Sequence, residues 1–367
     1  MKKILFILHF PPPVHGSSMV GLSIKNSKLI NNSFDCRFIN LLVSRTLTET
    51  GKTSILKIFR FIGLWFKLFK EIITRKPDVC YLALTTTGAS FYKDVLLVGL
   101  LRLFHIKRVY HLHNKGVSKS QNNKINKLLY RFVFEDAYVI LLSNHLYKDI
   151  EKFVPQSYVY ICPNGILDMT SNIQSQLLSK EKSVKILFLS NMIESKGFLV
   201  LLSACSILQK KGIDFECDFI GAEGDMQATQ FIERVKQQQL SKKVNYLGKK
   251  FDKEKQVALS NADIFSFPTY YSNECFPLVL LEAMSAGLPV ISTFEGGIPD
   301  IIEEGITGFL VPQKNAEVIA EKLELLIENP VLRQQMGKAG RLKFEKEFTF
   351  EIFENRLVEI LKQVIEK

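Results

Sequence analysis

The sequence predicts an α/β protein of two doubly wound domains, each a parallel sheet covered by helices on both faces. Lys3-Ile4-Leu5-Phe6-Ile7-Leu8 is echoed by Lys185-Ile186-Leu187-Phe188-Leu189-Ser190, and each apolar run leads through a loop into a helical pattern, as such domains begin. Short, continuous apolar runs alternate with helical segments along the whole chain, which suits strands buried on both faces. The 367 residues, 47% hydrophobic and 23% charged, suffice for two cores and argue against disorder.

The elements follow in order. Strands are expected at 3–8, 35–40, 78–84, 107–112, 136–142 and 157–161, then at 185–190, 214–221, 243–248, 262–267, 289–293 and 307–311, with helices between most of them. The polar stretch from Asn164-Gly165 to Lys182, rich in Ser and Gln, reads as the linker, giving domains at 1–170 and 171–349. Met1 to Leu8 mimics a signal peptide, but the run is short and ends in Pro11-Pro12-Pro13 with no small-residue cleavage site, so it reads as a first strand. The Leu-rich segment from Val95 to Ile106 is interrupted by Arg102 and falls short of a membrane span. Six cysteines without Cys-x-x-Cys spacing suit a reducing compartment. A cytoplasmic protein is expected.

Charge is uneven. Residues 1–170 carry 24 Lys and Arg against 10 Asp and Glu, whereas the remainder carries 24 against 27; all six histidines lie in the first part. Two domains with different partners explain this division.

The most informative stretch is Ser272-Asn273-Glu274-Cys275-Phe276-Pro277-Leu278-Val279-Leu280-Leu281-Glu282-Ala283-Met284-Ser285-Ala286-Gly287-Leu288-Pro289-Val290. Pro277 suits the first position of a helix, Gly287 a left-handed cap, and Pro289 prevents continuation. Glu274 then sits in the loop before the helix and Glu282 about one turn inside it. Amides at the helix start, around Phe276, Pro277, Leu278 and Val279, attract phosphate, while a carboxylate can only accept and so suits sugar hydroxyls. The pattern describes a site for a sugar attached to a phosphate. A solvated loop Glu and a second Glu on an exposed helix face are the bland alternative.

This block resembles the donor-site signature of the retaining GT-B glycosyltransferases of family four. The resemblance covers most of the chain, specifically over 185–312 and loosely over 1–170. It implies that the two domains face each other across a cleft, the first binding acceptor and the second the nucleotide sugar, and that the last helix, 350–367, crosses back to the first domain. It implies that Glu274 contacts the transferred sugar and Glu282 the nucleotide ribose. Ser190-Asn191-Met192-Ile193-Glu194-Ser195-Lys196-Gly197-Phe198 places Lys196 to neutralise the donor diphosphate. The family usually carries Arg where this chain has Asn191. Ile220-Gly221-Ala222-Glu223-Gly224 permits close backbone approach to a ligand, and Val244-Asn245-Tyr246-Leu247-Gly248-Lys249-Lys250 resembles the segment that holds the base, which adds Gly221 and Lys250 to the nucleotide-sugar residues. Gly296-Gly297-Ile298-Pro299-Asp300 follows in family order and reads as a tight turn near the site.

Pro11-Pro12-Pro13-Val14-His15-Gly16-Ser17-Ser18 resembles the family's Gly-Gly loop beside donor phosphate and acceptor; only Gly16 is retained, and Ser17 is equally suited to cap the following helix. In Tyr110-His111-Leu112-His113-Asn114, His113 matches the family histidine that positions the donor sugar. The sequence identifies no nucleophile, so the resemblance implies front-face attack assisted by the leaving phosphate. No Asp-x-Asp and no cluster at metal-ligand spacing occurs, so transfer without a metal is expected.

The segment 55–70 is a strongly amphipathic helix whose cations Lys57, Arg60, Lys67 and Lys70 share one arc, with Trp65 among the apolar residues that fill the rest. Besides packing on the sheet, it suits an anionic bilayer. The combined expectation is a glycosyltransferase using a nucleotide-diphosphate sugar and a glycan acceptor, lipid-linked as in surface-polysaccharide assembly, at the inner face of the cytoplasmic membrane. Two rivals are an epimerase acting on the nucleotide sugar and a basic nucleic-acid-binding protein; no nucleic-acid recognition motif accompanies the basic half.

Overall fold

The computed structural model describes residues 1–12, 14–42, 55–168 and 183–367. Pro13, the bulk of the expected linker with its 170/171 boundary, and the side chain of Lys57 lie outside them. The chain divides into two compact units, Met1–Gly165 with Glu351–Lys367, and Ile166–Phe350.

The first unit is a six-stranded sheet of β1 (Lys3–Leu8), β2 (Asp35–Asn40), β3 (Val79–Leu82), β4 (Lys107–Leu112), β5 (Ala137–Leu141) and β6 (Val159–Ile161). All neighbours pair in parallel, in the order β2-β1-β3-β4-β5-β6. The order reverses between β1 and β3. Central strands are almost wholly buried because helices cover both faces; Phe6, Tyr81 and Tyr110 are wholly buried. The C-terminal helix Phe350–Glu366 lies against this unit from Glu351 onward: Ser27 Oγ donates to Glu354, and Lys107 Nζ donates to Val364 O at 2.9 Å.

The second unit repeats the principle with a different order. Its strands are β7 (Lys185–Leu189), β8 (Glu216–Ile220), β9 (Val244–Tyr246), β10 (Ile264–Phe267), β11 (Val290–Thr293) and β12 (Gly308–Val311). They run in parallel as β12-β11-β10-β7-β8-β9. Here the order reverses between β10 and β7. Ligands of open α/β sheets bind beyond the carboxyl ends of the strands at such a reversal, and the loops after β7 and β10 carry Lys196 and Glu274.

All twelve expected strands are present, several shorter by one or two residues at an end. The helix of the glutamate block runs Leu278–Ser285, with Gly287 left-handed (φ +72°) just beyond it. Pro277 is not its first helical residue. Its ψ of 120° keeps it outside as the cap, while its carbonyl already accepts from Leu280 N–H.

Candidate functional site

The loop after β7 makes a 3₁₀ turn, Glu194–Lys196, and Gly197 follows with φ +89°. Only glycine fits there, because a Cβ would lie 2.1 Å from Pro268 O in the loop after β10. Tyr270 N–H and Thr269 Oγ1 both donate to Ser195 O, at 2.7 and 3.3 Å, tying the two loops together. The same logic fixes the other side of the β10 loop. Gly296 (φ +58°) brings its backbone against Glu274, where a Cβ would meet Glu274 O at 2.2 Å, and Gly297 N–H donates to Cys275 O at 2.7 Å.

These turns bring Lys196 and Glu274 together across 78 residues of sequence. Lys196 Nζ lies 2.5 Å from Glu274 Oε2, with both side chains largely buried. The ammonium also faces the rings of Tyr271, at 4.4 Å, and Phe267, at 5.7 Å. A cation and an anion are thus held at the strand-order reversal, one suited to a phosphate and the other to hydroxyls. Behind them lie the first amides of the helix Leu278–Ser285, whose N–H groups have no partner within the helix.

Glu282 sits one turn into that helix and is 9% exposed. Its Oε1 accepts from Lys255 Nζ at 2.6 Å, while Oε2 is buried and makes no hydrogen bond within the chain. Sequence reading missed Lys255. It stands among Lys249, Lys250 and Lys253, and only the helix Asp252–Ser260 distinguishes which ammonium reaches the glutamate. Lys250 pairs instead with Glu254, at 3.4 Å. Asn191 is exposed, its Oδ1 accepting from Ala222 N–H at 3.3 Å, so it ties the β7 loop to the β8 loop. Gly221 lies in that second loop; it donates to Gly248 O and accepts from Tyr246 Oη at 2.8 Å. Phe276 is buried, edge-on to Phe348.

In the first unit, the carboxyl ends of β1 and β4 gather four imidazoles. His15, not Ser17, caps the helix Gly16–Asn26: its Nδ1 accepts from Ser18 N–H while Ser18 Oγ accepts from His15 N–H, a reciprocal box that Ser17 is two positions too late to form. Gly16 is the first helical residue. Ser17 Oγ lies 3.1 Å from His15 Nδ1 and 3.4 Å from His9 Nδ1. His113 keeps part of its surface open, yet its surroundings are dense enough that desolvation, reinforced by repulsion from His15, lowers its pKa to about 4. His111, wholly buried, is bonded through Nδ1 to Tyr81 Oη, and its ring lies 4.2 Å from that of His113, tilted by 41°. Desolvation also lowers His9 and His15. His113 is therefore a neutral hydrogen-bonding group, not a cation, near pH 7. Asp94, another residue that sequence reading missed, is buried behind the β3 loop, where its Oδ2 accepts from Thr85 N–H; burial raises its pKa. Among the described residues no group of three potential metal ligands converges, and no helix is long and apolar enough to cross a membrane.

Comparison with known proteins places this geometry. Residues 169–343 match the family described as glycosyl transferases group 1. The chain is 30% identical over 270 residues to the amylovoran biosynthesis glycosyltransferase AmsK of Erwinia amylovora, covering 72% of this chain and 66% of that protein. The matched stretch spans only about half, 52%, of the next two curated relatives. Among solved structures, a glycosyltransferase of Rickettsia africae superposes with a TM-score of 0.77 at 19% identity, covering 100% of this chain and 99% of its own. The Anabaena protein HepE, solved with UDP, superposes with a TM-score of 0.74 at 16% identity, over 98% of this chain and 100% of that one. The chain has the GT-B fold, and its residues 169–343 carry a domain of the glycosyl transferases group 1 family.

Proposed function

We propose that this protein transfers a sugar from a nucleotide-diphosphate sugar to a glycan acceptor, lipid-linked in surface-polysaccharide assembly, with retention of anomeric configuration and without a metal. The observation that carries the reading is the Lys196–Glu274 pair at the β7/β10 reversal, with Glu282 presenting a buried, unpartnered oxygen one turn along the adjoining helix. Donor binding exchanges the internal ion pair for a new ion pair and a set of hydrogen bonds. Lys196 passes to the diphosphate and Glu274 accepts from hydroxyls of the transferred sugar, while Glu282 Oε2 accepts from the ribose. The UDP and UDP-glucose named for HepE support a donor of this class.

In the reaction the bond from the anomeric carbon to the phosphate oxygen breaks and an acceptor oxygen forms a bond to that carbon from the same face. The acceptor proton passes to the departing phosphate, whose charge Lys196 and the helix-start amides stabilise. Neutral His113 positions the sugar by hydrogen bonding. Asn191 brings no charge, so leaving-group stabilisation rests on Lys196.

The helix Ile55–Arg75 supports a location at an anionic membrane surface. Leu64, Leu68 and Ile72 form its buried stripe, whereas Ile58, Phe59, Ile62 and Phe66 are exposed beside Arg60, Lys67 and Lys70, with Trp65 half-buried between. Incubation with a panel of nucleotide sugars and a lipid-linked glycan, with and without chelator, tests the chemistry. A product whose anomeric configuration by NMR matches that of the donor, unaffected by chelator, agrees with it; an inverted product or a metal requirement refutes the corresponding part.

A further inference from the structure

We infer that the membrane-binding surface of the first unit is a layer of three helices, anchored at its far side by Lys124–Phe134, that rests on an anionic bilayer. The inference rests on the membrane location proposed above and extends it beyond a single helix.

The three helices are Ile55–Arg75, Gly88–Leu103 and Lys124–Phe134. They pack side by side: Phe69 meets Phe104 edge-on at 5.9 Å, Tyr92 Oη donates to Asn126 Oδ1 at 2.8 Å, and the Arg102 guanidinium lies 4.5 Å over the Phe132 ring. Each turns large apolar groups outward. Phe59 and Phe66 on the first helix, Leu96 on the second, and Ile125 and Leu128 on the third are all more than half exposed. Scattered exposed leucines are ordinary, but apolar groups shared by three adjacent helices mark an interaction surface.

The charges identify the partner. The third helix has no acidic residue, and its exposed Lys124, Lys127 and Arg131 flank the apolar row Ile125, Leu128 and Phe132 at the same helical spacing. Across all three helices the only acidic residues are Glu71, half-buried, and Asp94, fully buried. A surface that combines cations with apolar groups, and exposes no carboxylate fully, suits a phase offering both acyl chains and anionic headgroups. A nucleic acid would satisfy the cations but leave the apolar groups in water.

The apolar surface runs the length of the layer. Each helix ends two or three residues before β3, β4 or β5 begins, so the three helices run in the same direction across the sheet. Phe59, Ile62, Ile125 and Leu128 are exposed in the first halves of their helices, and Phe66, Ile73, Leu96 and Leu103 in the second halves. The face can therefore lie flat on the lipid.

The single tryptophan, Trp65, is a built-in reporter on the first helix. The full chain is titrated with vesicles of phosphatidylcholine alone and of phosphatidylcholine with phosphatidylglycerol at 3:1, reading Trp65 emission and co-sedimentation. Two variants are compared, Lys124→Glu with Lys127→Glu and Arg131→Glu, and Lys67→Glu with Lys70→Glu, each checked for unchanged nucleotide binding and circular dichroism. The wild type should bind only the anionic vesicles with a blue shift. At about fivefold per cation near such a surface, the triple variant should bind about 100-fold more weakly. Wild-type-like binding by the triple variant together with loss in the double variant would overturn the three-helix surface and leave the single-helix reading standing. Absence of wild-type binding would overturn both, and concentration-dependent dimerisation lost in the triple variant would assign the surface to a second copy of this chain.

Discussion

Removal of Lys255 should expose how Glu282 is prepared for its ligand. Lys255 Nζ lies 2.6 Å from Glu282 Oε1, the two side chains retaining 24% and 11% of their exposure. Truncation to alanine leaves a carboxylate with neither oxygen partnered inside the chain, since Oε2 already lacks a partner. Breaking a fully buried ion pair costs about 3–5 kcal/mol. The residual exposure of both groups lowers the expectation to the range of one charged hydrogen bond, about 1.5–3 kcal/mol. For a unit of this size that lowers Tm by about 3–12 °C. Glu282→Ala alone should cost less stability, because a lysine at the surface finds water, yet it should weaken nucleotide binding about 10- to 150-fold. The double variant should be more stable than the sum of the two changes implies, by about 1–2 kcal/mol of coupling. Thermal melts and calorimetry on the four proteins complete the cycle. Strict additivity, or an unchanged Tm in Lys255→Ala, would show that the pair is solvated and that Lys255 does not hold Glu282.

Further outcomes follow from the same geometry. Glu274→Ala should reduce turnover far more than nucleotide affinity, whereas Lys196→Ala should reduce both; equal loss of UDP affinity in Glu274→Ala and Glu282→Ala would contradict the assigned division. Gly197→Ala should destabilise the second unit by about 1–3 kcal/mol or more, because its φ of +89° and the 2.1 Å approach to Pro268 O both resist a Cβ, and melts would reveal it. Four histidines of the first unit are depressed, so below pH 6.5 the unfolded chain binds protons that the folded chain does not, for His113 down to about pH 4. Stability should therefore be fully present above pH 6.5 and fall as pH drops, with about 1.4 kcal/mol per pH unit from each such group. His113→Asn should flatten that slope in acid melts, and an unchanged slope would place His113 in a solvated setting.

Much of this was legible because apolar periodicity follows directly from burial: the buried inner strands announce themselves as apolar runs, and Gly287 and Pro289 mark the end of the glutamate helix. Contacts that depend on two distant loops were not legible. Nothing local to Lys196 indicates Glu274, 78 residues away; the approach depends on Gly197 and Gly296 meeting backbone that only the folded sheet supplies. Lys255 was hidden among neighbouring lysines with the same local chemistry, separated by about one helical turn of phase from Lys250. Pro277 looked like a first helical residue because the sequence cannot give ψ, and His15 was passed over as a cap because serine and asparagine usually serve there. The lipid-facing row of Lys124–Phe134 was invisible for a different reason. Eleven residues with one apolar stripe predict a helix packed on a sheet, and only the fold shows that Tyr130, Val133 and Phe134 do that packing while Ile125, Leu128 and Phe132 face outward.

The most direct test of a nucleotide-sugar site at the β7/β10 reversal is calorimetric titration of the chelator-treated protein with UDP, GDP, ADP and CMP, repeated on Glu282→Ala and Lys196→Ala. The account predicts micromolar binding of one nucleotide without added metal, weakened at least tenfold by either substitution. Binding of none of the four, or binding that both substitutions leave unchanged, would contradict it.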